Sequence, residues 1–364
     1  MQIKNLDLNN FRNIESLSLS FDPGCNIIYG ENGQGKTNIL ESIYMCGFGK
    51  SHKNSKEREI IRDGCEESHI RAEFGSVINS HRIDIHLRKN RPKGVALDRV
   101  PIRRYGDLYG NILVVMFSSE DLDIVKRSPS DRRKFLDMQI CQIDPIYMDH
   151  LVNYNKILDQ RRELFKSMEE GDVHQFQDTL DLWDLQLNEY GSRIIRKRRE
   201  FIEELNEIIF EIHYDISGGK EKLKIVYEPS AREDDFYEIL LKNRERDRYY
   251  KQTHAGPHRD DLSFYDQDKD MKVYGSSGQQ RSCALSLKLA EIDIINKIKK
   301  EKPVLLLDDV MSELDRNRQT QLIRSLRDVQ TIITCTGMDE FIEEKLGEVR
   351  RIRIADGRMI NSEE

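Results

Sequence analysis

The sequence has little that would support an exported or membrane-bound protein. No apolar run approaches the roughly 20 residues that a membrane-spanning helix needs. The first residues, MQIKNLDLNNFRN, lack the apolar core of a signal peptide. The six cysteines are scattered without a Cys-x-x-Cys pair, which predicts neither structural disulfides nor a zinc site. We therefore expect a cytoplasmic protein with no membrane partner.

Positive charge is also in short supply. The 364 residues contain 58 Lys and Arg against 65 Asp and Glu, for a formal net charge of −7. The surface as a whole is therefore not basic enough to attract nucleic acid, and any such affinity must come from local basic patches. Internal repeats and low-complexity linkers are absent as well. Charged residues make up 34% and hydrophobic residues 38%, which is typical of a globular chain with more than one domain.

The apolar pattern predicts an α/β lobe that is interrupted by a helical insertion. Short strands mixed with helices occupy residues 1–117 and 252–364, and residues 118–251 form a helical second lobe. Two stretches of this lobe have apolar residues every three or four positions, with the turn EEGD and Gly171 between them. They predict an antiparallel helical hairpin whose longer arm is on the order of 60 Å; an ordinary packed helical subdomain is the alternative. The spaced residues are Tyr147, Leu151, Tyr154, Leu158 and Phe165, then Val173, Phe176, Leu180, Trp183, Leu187, Tyr190, Ile194, Phe201, Leu205, Ile208 and Ile212.

The stretch YGENGQGKTN fits the P-loop pattern G-x-x-x-x-G-K-[ST], between the strand CNIIY and a helix. Glycines allow the backbone N–H groups to point at phosphate oxygens, and the positive helix N-terminus adds to the attraction. Lys36 would reach the β- and γ-phosphates of ATP, and the Thr37 hydroxyl would bind Mg²⁺. A flexible glycine loop is the alternative. The residues predicted to bind the nucleotide are Gly30, Glu31, Asn32, Gly33, Gln34, Gly35, Lys36, Thr37 and Asn38.

A second motif, the acidic stretch VLLLDD, supplies the expected partner of a P-loop. The buried strand would deliver Asp308 to the metal, and Asp309 would orient or deprotonate the attacking water as the catalytic residue. Taken alone, the motif also fits a strand that ends in a solvated acidic turn. The sequence SELD follows at residues 312–315.

The stretch YGSSGQQR opens a long helix and resembles the signature turn L-S-G-G-Q of ATP-binding-cassette (ABC) enzymes. In those enzymes two subunits sandwich each nucleotide, so that one subunit gives the P-loop and the other the signature turn. By that resemblance, Ser276 and Gly278 would face the γ-phosphate of ATP held by a second copy of the chain, and SELD would meet its twin across the interface. A simple helix cap is the alternative for this turn.

The combined motifs resemble the RecF family of bacterial DNA-repair proteins, within the ABC group that includes SMC proteins. The resemblance covers most of the chain. It implies an ABC-type P-loop ATPase head with mixed sheets, flanking helices and an inserted α-helical lobe. It also implies an ATP-dependent homodimer, weak ATP hydrolysis, binding of DNA at gaps and single-strand/double-strand junctions, and work with RecR and RecO to load RecA. The matching stretches are NFRNIESLSLSF, YGENGQGKTNILESIY, GKSHK, SSEDLDIVKRSPSDRRKFLD, GPHRDDL, SSGQQRS and LLLDDVMSELD.

Three positions depart from the wider ABC pattern. Asp309 stands where most cassette proteins have Glu, and Thr334 and Thr336 occupy the region of the switch histidine. No clear Q-loop glutamine follows NILVVMF, where SSE stands instead. These departures predict slow hydrolysis and a DNA clamp gated by ATP. The alternative is a motor ATPase, such as the nucleotide-binding subunit of a transporter or another SMC-like motor.

Several other residues favour ordinary structural roles. His254 and His258 are separated by a Gly-Pro pair that breaks a helix, so a structured turn is expected rather than a metal site. His52 fits either a phosphate contact or an exposed basic loop. The clusters RKNRPK at residues 88–93 and RKRR at residues 196–199 are candidate DNA contacts, and a solvated helix face is an equal alternative for the second.

Overall fold

The computed structural model describes residues 1–53, 55–76, 79–167, 176–326, 328–337, 345–346 and 348–360. They form three sheets and nine α-helices. None of the helices in these ranges combines the length and apolarity that a membrane crossing requires.

The first sheet is antiparallel, with the strand order β2-β1-β4-β5-β6-β7. Burial alternates along its strands, as in β4, because side chains point to opposite faces in turn. One face is therefore buried and the other is exposed to solvent. The strands are β1 (Gln2–Phe11), β2 (Ile14–Ser20), β4 (Glu67–Gly75), β5 (Ser80–Arg88), β6 (Arg91–Leu97) and β7 (Val100–Pro101).

The second sheet has the order β15-β14-β3-β13-β12-β8, and all of its strands except the edge strand β15 run parallel. Its central strands are nearly continuous apolar runs because both faces are covered. The strands are β3 (Cys25–Tyr29), β8 (Val114–Ser118), β12 (Val304–Asp308), β13 (Thr331–Cys335), β14 (Val349–Ala355) and β15 (Arg358–Ile360). Because parallel strands end at one edge, the residues after β3, β8, β12 and β13 meet there.

Helix α1 (Lys36–Phe48) lies between the two sheets and contacts strands of both. It is buried along most of its length. The other helices are α2 (Glu57–Ile60), α3 (Pro129–Ile143), α4 (Pro145–Ser167), α5 (Gln177–Ile216), α6 (Phe236–Tyr250), α7 (Met271–Tyr274), α8 (Ser277–Lys299) and α9 (Arg316–Ser325).

The predicted helical hairpin is confirmed by α4 and α5, which pack in antiparallel fashion. Tyr147 near the start of α4 accepts a 3.0 Å hydrogen bond from Arg198 Nε, halfway along α5. Arg161 near the end of α4 instead pairs with Asp184 near the start of α5, at 2.8 Å. The 40 residues of α5 span about 60 Å at 1.5 Å per residue. The turn EEGD, Gly171 and Val173 lie outside the described residues.

A third, small sheet joins the helical segment to the rest of the chain. Its order is β11-β10-β9, with β9 (Leu223–Glu228), β10 (Asp261–Asp266) and β11 (Lys269–Asp270). Helix α6 is capped by Lys251, where the backbone turns left-handed (φ 53°). We keep the division at residue 251 as a proposal, and note that the β9–β10 pairing crosses it.

Candidate functional site: a P-loop facing paired carboxylates

The P-loop joins β3 to α1, and its shape requires glycine. Gly30 has φ 152°, and a Cβ built on it would lie 2.2 Å from the backbone oxygen of Ile354. Gly35, which caps α1, has φ 106°, and its Cβ would lie 2.9 Å from Asn13 Oδ1. L side chains disfavour these backbone angles, and neighbouring atoms occupy the space that a Cβ would need. The two positions therefore require glycine, which lets the loop backbone approach an anion.

Lys36 folds back over the loop. Its ammonium donates hydrogen bonds to the backbone oxygens of Gly30, at 2.7 Å, and Glu31, at 2.8 Å. The residue is only 4% exposed, so its charge lies inside the loop rather than in solvent. A buried cation held by backbone oxygens within a glycine cradle fits a polyphosphate, which would offer it stronger acceptors.

Other predicted loop residues hold the loop in place. Asn38 donates to Asn13 Oδ1 at 2.9 Å, and Asn13 donates to the Gly33 oxygen at 3.1 Å. The side chain of Gln34 accepts a hydrogen bond from the backbone N–H of Asp356, after β14. Gln34 and Asn38 therefore support the cradle, while Glu31 and Asn32 are exposed at its rim.

The two predicted metal ligands are in direct contact. Thr37 donates to Asp308 Oδ1 at 2.8 Å, although the residues are 271 positions apart. Thr334, opposite Asp308 on β13, donates to the same oxygen at 2.8 Å. A hydroxyl and a carboxylate are the oxygen ligands that Mg²⁺ prefers, and Mg²⁺ sites usually combine one or two such groups with substrate phosphate. The pair therefore fits a magnesium ion at the edge of the P-loop.

Asp309 follows in a backbone conformation that is uncommon outside glycine, with φ 54°. Its N–H donates to Thr334 Oγ1 at 3.1 Å, which holds this turn in place. Burial raises the pKa of Asp309, the charge of Asp308 acts in the same direction, and Lys36 opposes both. Thr334, in the region of the expected switch histidine, thus joins the Asp308 carboxylate to the Asp309 backbone N–H.

The segment after β8 borders this site without a glutamine. Ser118 is the register partner of Asp308 on the neighbouring strand, and its N–H donates to Asp121 Oδ2 at 2.9 Å. A cavity of about 270 Å³ opens beside it, with His52 and Lys288 also in its wall. Burial lowers the pKa of His52, which favours the neutral ring, and its Nδ1 is buried. His52 itself is half-buried in a turn, next to the exposed Lys53.

The signature turn caps α8 and is held from the side. Ser276 accepts from the Gln279 N–H at 3.3 Å, and its own N–H donates to Gln279 Oε1 at 2.9 Å. Arg318 on α9 donates to the Gly278 oxygen at 2.7 Å. Within the described ranges, no hydrogen bond or ion pair joins this turn to the P-loop. The structure thus brings together residues 30–37, Asp308 and Asp309, and it places Ser276 and Gly278 in a separate group.

The loop SELD belongs to that second group. Arg281 of α8 donates to the Glu313 backbone oxygen at 2.8 Å and pairs with its carboxylate at 3.2 Å. Arg318 also forms an ion pair with Asp315. The signature turn and this loop are therefore fixed to one another in the same chain, and the exposed Tyr274 (73%) stands beside them.

Two functional contacts were missed in the sequence. Asn13 supports the P-loop from the turn between β1 and β2, and Arg318 supports the signature turn. Asn13 belongs to the stretch NFRN, and Arg318 lies three residues after SELD. Neither position has a local pattern that reveals its distant partner.

The predicted structured turn at the two histidines is confirmed. His254 Nδ1 lies 2.8 Å from Asp247 Oδ1, and His258 Nδ1 lies 2.7 Å from the Tyr154 hydroxyl. His258 Nε2 lies 2.9 Å from the Thr253 oxygen.

The basic cluster RKRR does not form one charged face. Arg198 is 1% exposed and pairs with Asp137 and Asp260. Arg196 and Arg199 are about half exposed, and both approach Glu233, at 3.6 and 2.8 Å. This part of α5 therefore carries less net positive charge than its sequence indicates.

Comparison with known proteins first identifies the general class of protein to which the chain belongs. The family model described as the RecF/RecN/SMC N terminal domain matches residues 2–357. Together with the P-loop, the paired carboxylates and the parallel sheet, this match defines an ABC-type ATPase head.

Similar proteins of known name then identify one family within this class. The chain is 52% identical over 359 residues to the DNA replication and repair protein RecF of Agathobacter rectalis, with 99% of each chain covered. It is 51% identical over 357 residues to that of Lachnoclostridium phytofermentans, covering 98% of this chain and 99% of the relative. A solved structure of the recombination mediator protein RecF with ATP, from the RecFOR pathway, has a TM-score of 0.90 at 36% identity, covering 98% of this chain and 96% of that one. The chain belongs to the RecF family, as its motifs predicted.

Proposed function

We propose that the protein is an ATP-dependent DNA clamp of recombinational repair. Two chains would close around ATP and Mg²⁺, bind DNA at gaps or single-strand/double-strand junctions, and act with RecO and RecR to load RecA in the cytoplasm. Hydrolysis by Asp309 would be slow and would time the opening of the dimer. The RecF relatives and the ATP-bound neighbour support this reading. Family membership removes the support for a transporter subunit.

The observation that carries the proposal is the division of the site into two groups. The P-loop, Asp308 and Asp309 form one half of a nucleotide site, while the signature turn is built, capped and braced elsewhere. Ser276 and Ser277 are exposed at the start of α8, and among the described residues neither is bonded to the P-loop of its own chain. A second chain would supply that phosphate, and the free N–H groups of a helix start would bind it.

The test is the molar mass in solution with ATP, with ADP and without nucleotide, measured by light scattering. We expect a dimer with ATP alone. Ser276→Arg should still bind ATP as a monomer but fail to dimerise, because the long side chain fills the place of the γ-phosphate. Ser325→Arg, at an exposed serine of α9, is the matched control and should dimerise normally. Dimerisation of Ser276→Arg with ATP would refute the assignment of the signature turn.

The DNA surface is proposed on α6 rather than on RKRR. Arg246, Arg248 and Lys251 are exposed and form no ion pair with any residue that the structure describes. Tyr249 and Tyr250, 80% and 58% exposed, stand among them. Unpaired cations beside exposed aromatic rings suit a nucleic-acid strand, since phosphates bind the cations and bases stack on the rings.

Titrations of DNA affinity at several salt concentrations test this surface. Reversal of Arg246 and Arg248 to Glu should weaken binding and flatten the slope of log K against log salt, at about 0.9 per lost phosphate contact on duplex DNA. Reversal of Arg196 and Arg199, already close to Glu233, should change the slope little. The opposite ranking would place the DNA on α5. Equal binding by the nucleotide-free monomer and the ATP dimer would refute the clamp.

A further inference from the structure

The exposed face of the first sheet carries two histidines and a glutamate at one point. His69 on β4 and His86 on β5 are direct register partners across the two strands. Glu67 lies two residues before His69 and therefore points to the same face. The side chains of Glu67, His69 and His86 are 55%, 47% and 32% exposed, so solvent reaches all three.

The ligand atoms of these side chains converge. Glu67 Oε2 lies 2.8 Å from His86 Nε2, and Glu67 Oε1 lies 4.0 Å from His69 Nε2. The two rings are stacked, with centroids 3.9 Å apart and planes at 22°. One ligand atom from each residue lies within 4.8 Å of the other two.

We propose that Glu67, His69 and His86 bind a zinc ion, or another divalent transition metal that favours imidazole. Ligand atoms around tetrahedral zinc are about 3.3 Å apart, given zinc–nitrogen distances of about 2.0 Å. The distances between the three atoms must therefore change by about 1.5 Å at most, which exposed side chains achieve by rotation about their own bonds. Two imidazoles and a carboxylate with an open fourth position are a ligand set that zinc sites use.

The neighbouring residues leave access to this point. Gly94 is the register partner of His86 on β6 and has no side chain to cover it. Arg71, on the same face, is bound to Asp84 at 2.9 Å. Arg88 lies opposite Glu67, and its guanidinium donates to the Pro92 oxygen at 3.4 Å but keeps a charge that opposes a metal.

This site differs in chemistry from the one at Thr37 and Asp308. Mg²⁺ prefers oxygen ligands, so the nucleotide's metal has little affinity for two imidazoles. The spacing of the cysteines in the sequence predicted no zinc site. The histidines are 17 positions apart, and only the pairing of β4 with β5 brings them together. A bound ion would cross-link these strands on the face opposite α1.

The experiment is a calorimetric titration of Zn²⁺ into full-length protein without an affinity tag, after removal of metals with EDTA and with the thiols kept reduced. We expect one zinc per chain. His69→Ala and His86→Ala should each weaken binding at least about tenfold, and Glu67→Gln should weaken it less. His81→Ala, on the same strand β5 but paired with Asp98, is the matched control and should bind zinc as the wild type does.

Four results would overturn the proposal. The first is no zinc binding by the wild type. The second is unchanged affinity in both histidine variants, provided that their thermal unfolding in EDTA matches the wild type. The third is a cobalt complex with sulfur-to-metal charge-transfer absorption, which would assign the metal to a cysteine. The fourth is competition by millimolar Mg²⁺ without ATP, which should leave zinc affinity unchanged.

Discussion

Acid should destabilise this protein through His258. The ring lies between α4 and the turn before β10, where Nδ1 contacts the Tyr154 hydroxyl and Nε2 contacts the Thr253 oxygen. Burial lowers the pKa of His258 from 6.5 to about 4, and the charges of Arg259, Arg133 and Arg198 act in the same direction. The hydrogen bond to Thr253 opposes the shift but does not cancel it.

The direction of the pH effect on stability follows from the order of the folded and unfolded pKa values of His258. The pKa of His258 in the folded state lies below its unfolded value, so the unfolded chain takes up the proton first as the pH falls. The stability contributed by neutral His258 is complete above 6.5 and is lost progressively toward pH 4. Between about pH 7.5 and about pH 5, this one group should remove about 2 kcal/mol from the free energy of unfolding.

The assay is urea unfolding at both pH values for the wild type and for His258→Gln, whose amide can still donate to Thr253. The loss of stability on acidification should be smaller in the variant by about 2 kcal/mol. Tyr154→Phe is the control, and most of the acid sensitivity should remain in it because burial is the larger cause. Equal pH dependence in the wild type and His258→Gln, or a pKa of His258 near 6.5 by NMR titration, would refute the reasoning.

Three further predictions concern the nucleotide site. Asp309→Asn should slow ATP hydrolysis without loss of ATP binding, because Asn can orient water but cannot accept its proton; unchanged turnover would assign the base elsewhere. Gly30→Ala should abolish ATP binding in an equilibrium titration, since its Cβ collides with the Ile354 oxygen; normal affinity would show that the loop can move. Arg318→Ala should weaken ATP-driven dimerisation and spare ATP binding, with Arg324→Ala on the same helix as its control; equal dimerisation by both variants would contradict the bracing role.

The parts of the site that follow from sequence are those encoded by neighbouring residues. Glycine spacing, a lysine and a threonine define the P-loop because its chemistry is complete within eight positions. The apolar run before Asp308 likewise predicts a buried strand, and the acidic pair that follows it predicts where the strand ends. The 3.6-residue period of α4 and α5 predicted the hairpin because each helix needs one apolar face.

The parts that could not be predicted depend on partners far along the chain. RKRR is one charged run in sequence, yet Arg198 points into the protein and Arg196 faces an acid from a later segment. The same holds for Thr334: its position marks a departure from the ABC pattern but does not reveal that its hydroxyl links the Asp308 carboxylate to the Asp309 backbone N–H. In each case a second segment, positioned by the fold, decides the role.

The buried guanidinium of Arg198 has a consequence for dissecting the protein. It reaches Asp137 within the helical segment and Asp260 beyond it, and Asp260 also accepts a hydrogen bond from Tyr227 of β9. A fragment that ends at residue 251 would therefore keep a cation in its interior without one of its two anions, and β9 without its partner β10. Removing one partner of a buried ion pair costs about 3–5 kcal/mol. The insertion is thus separate in sequence pattern but should not be expressible as an independent folding unit.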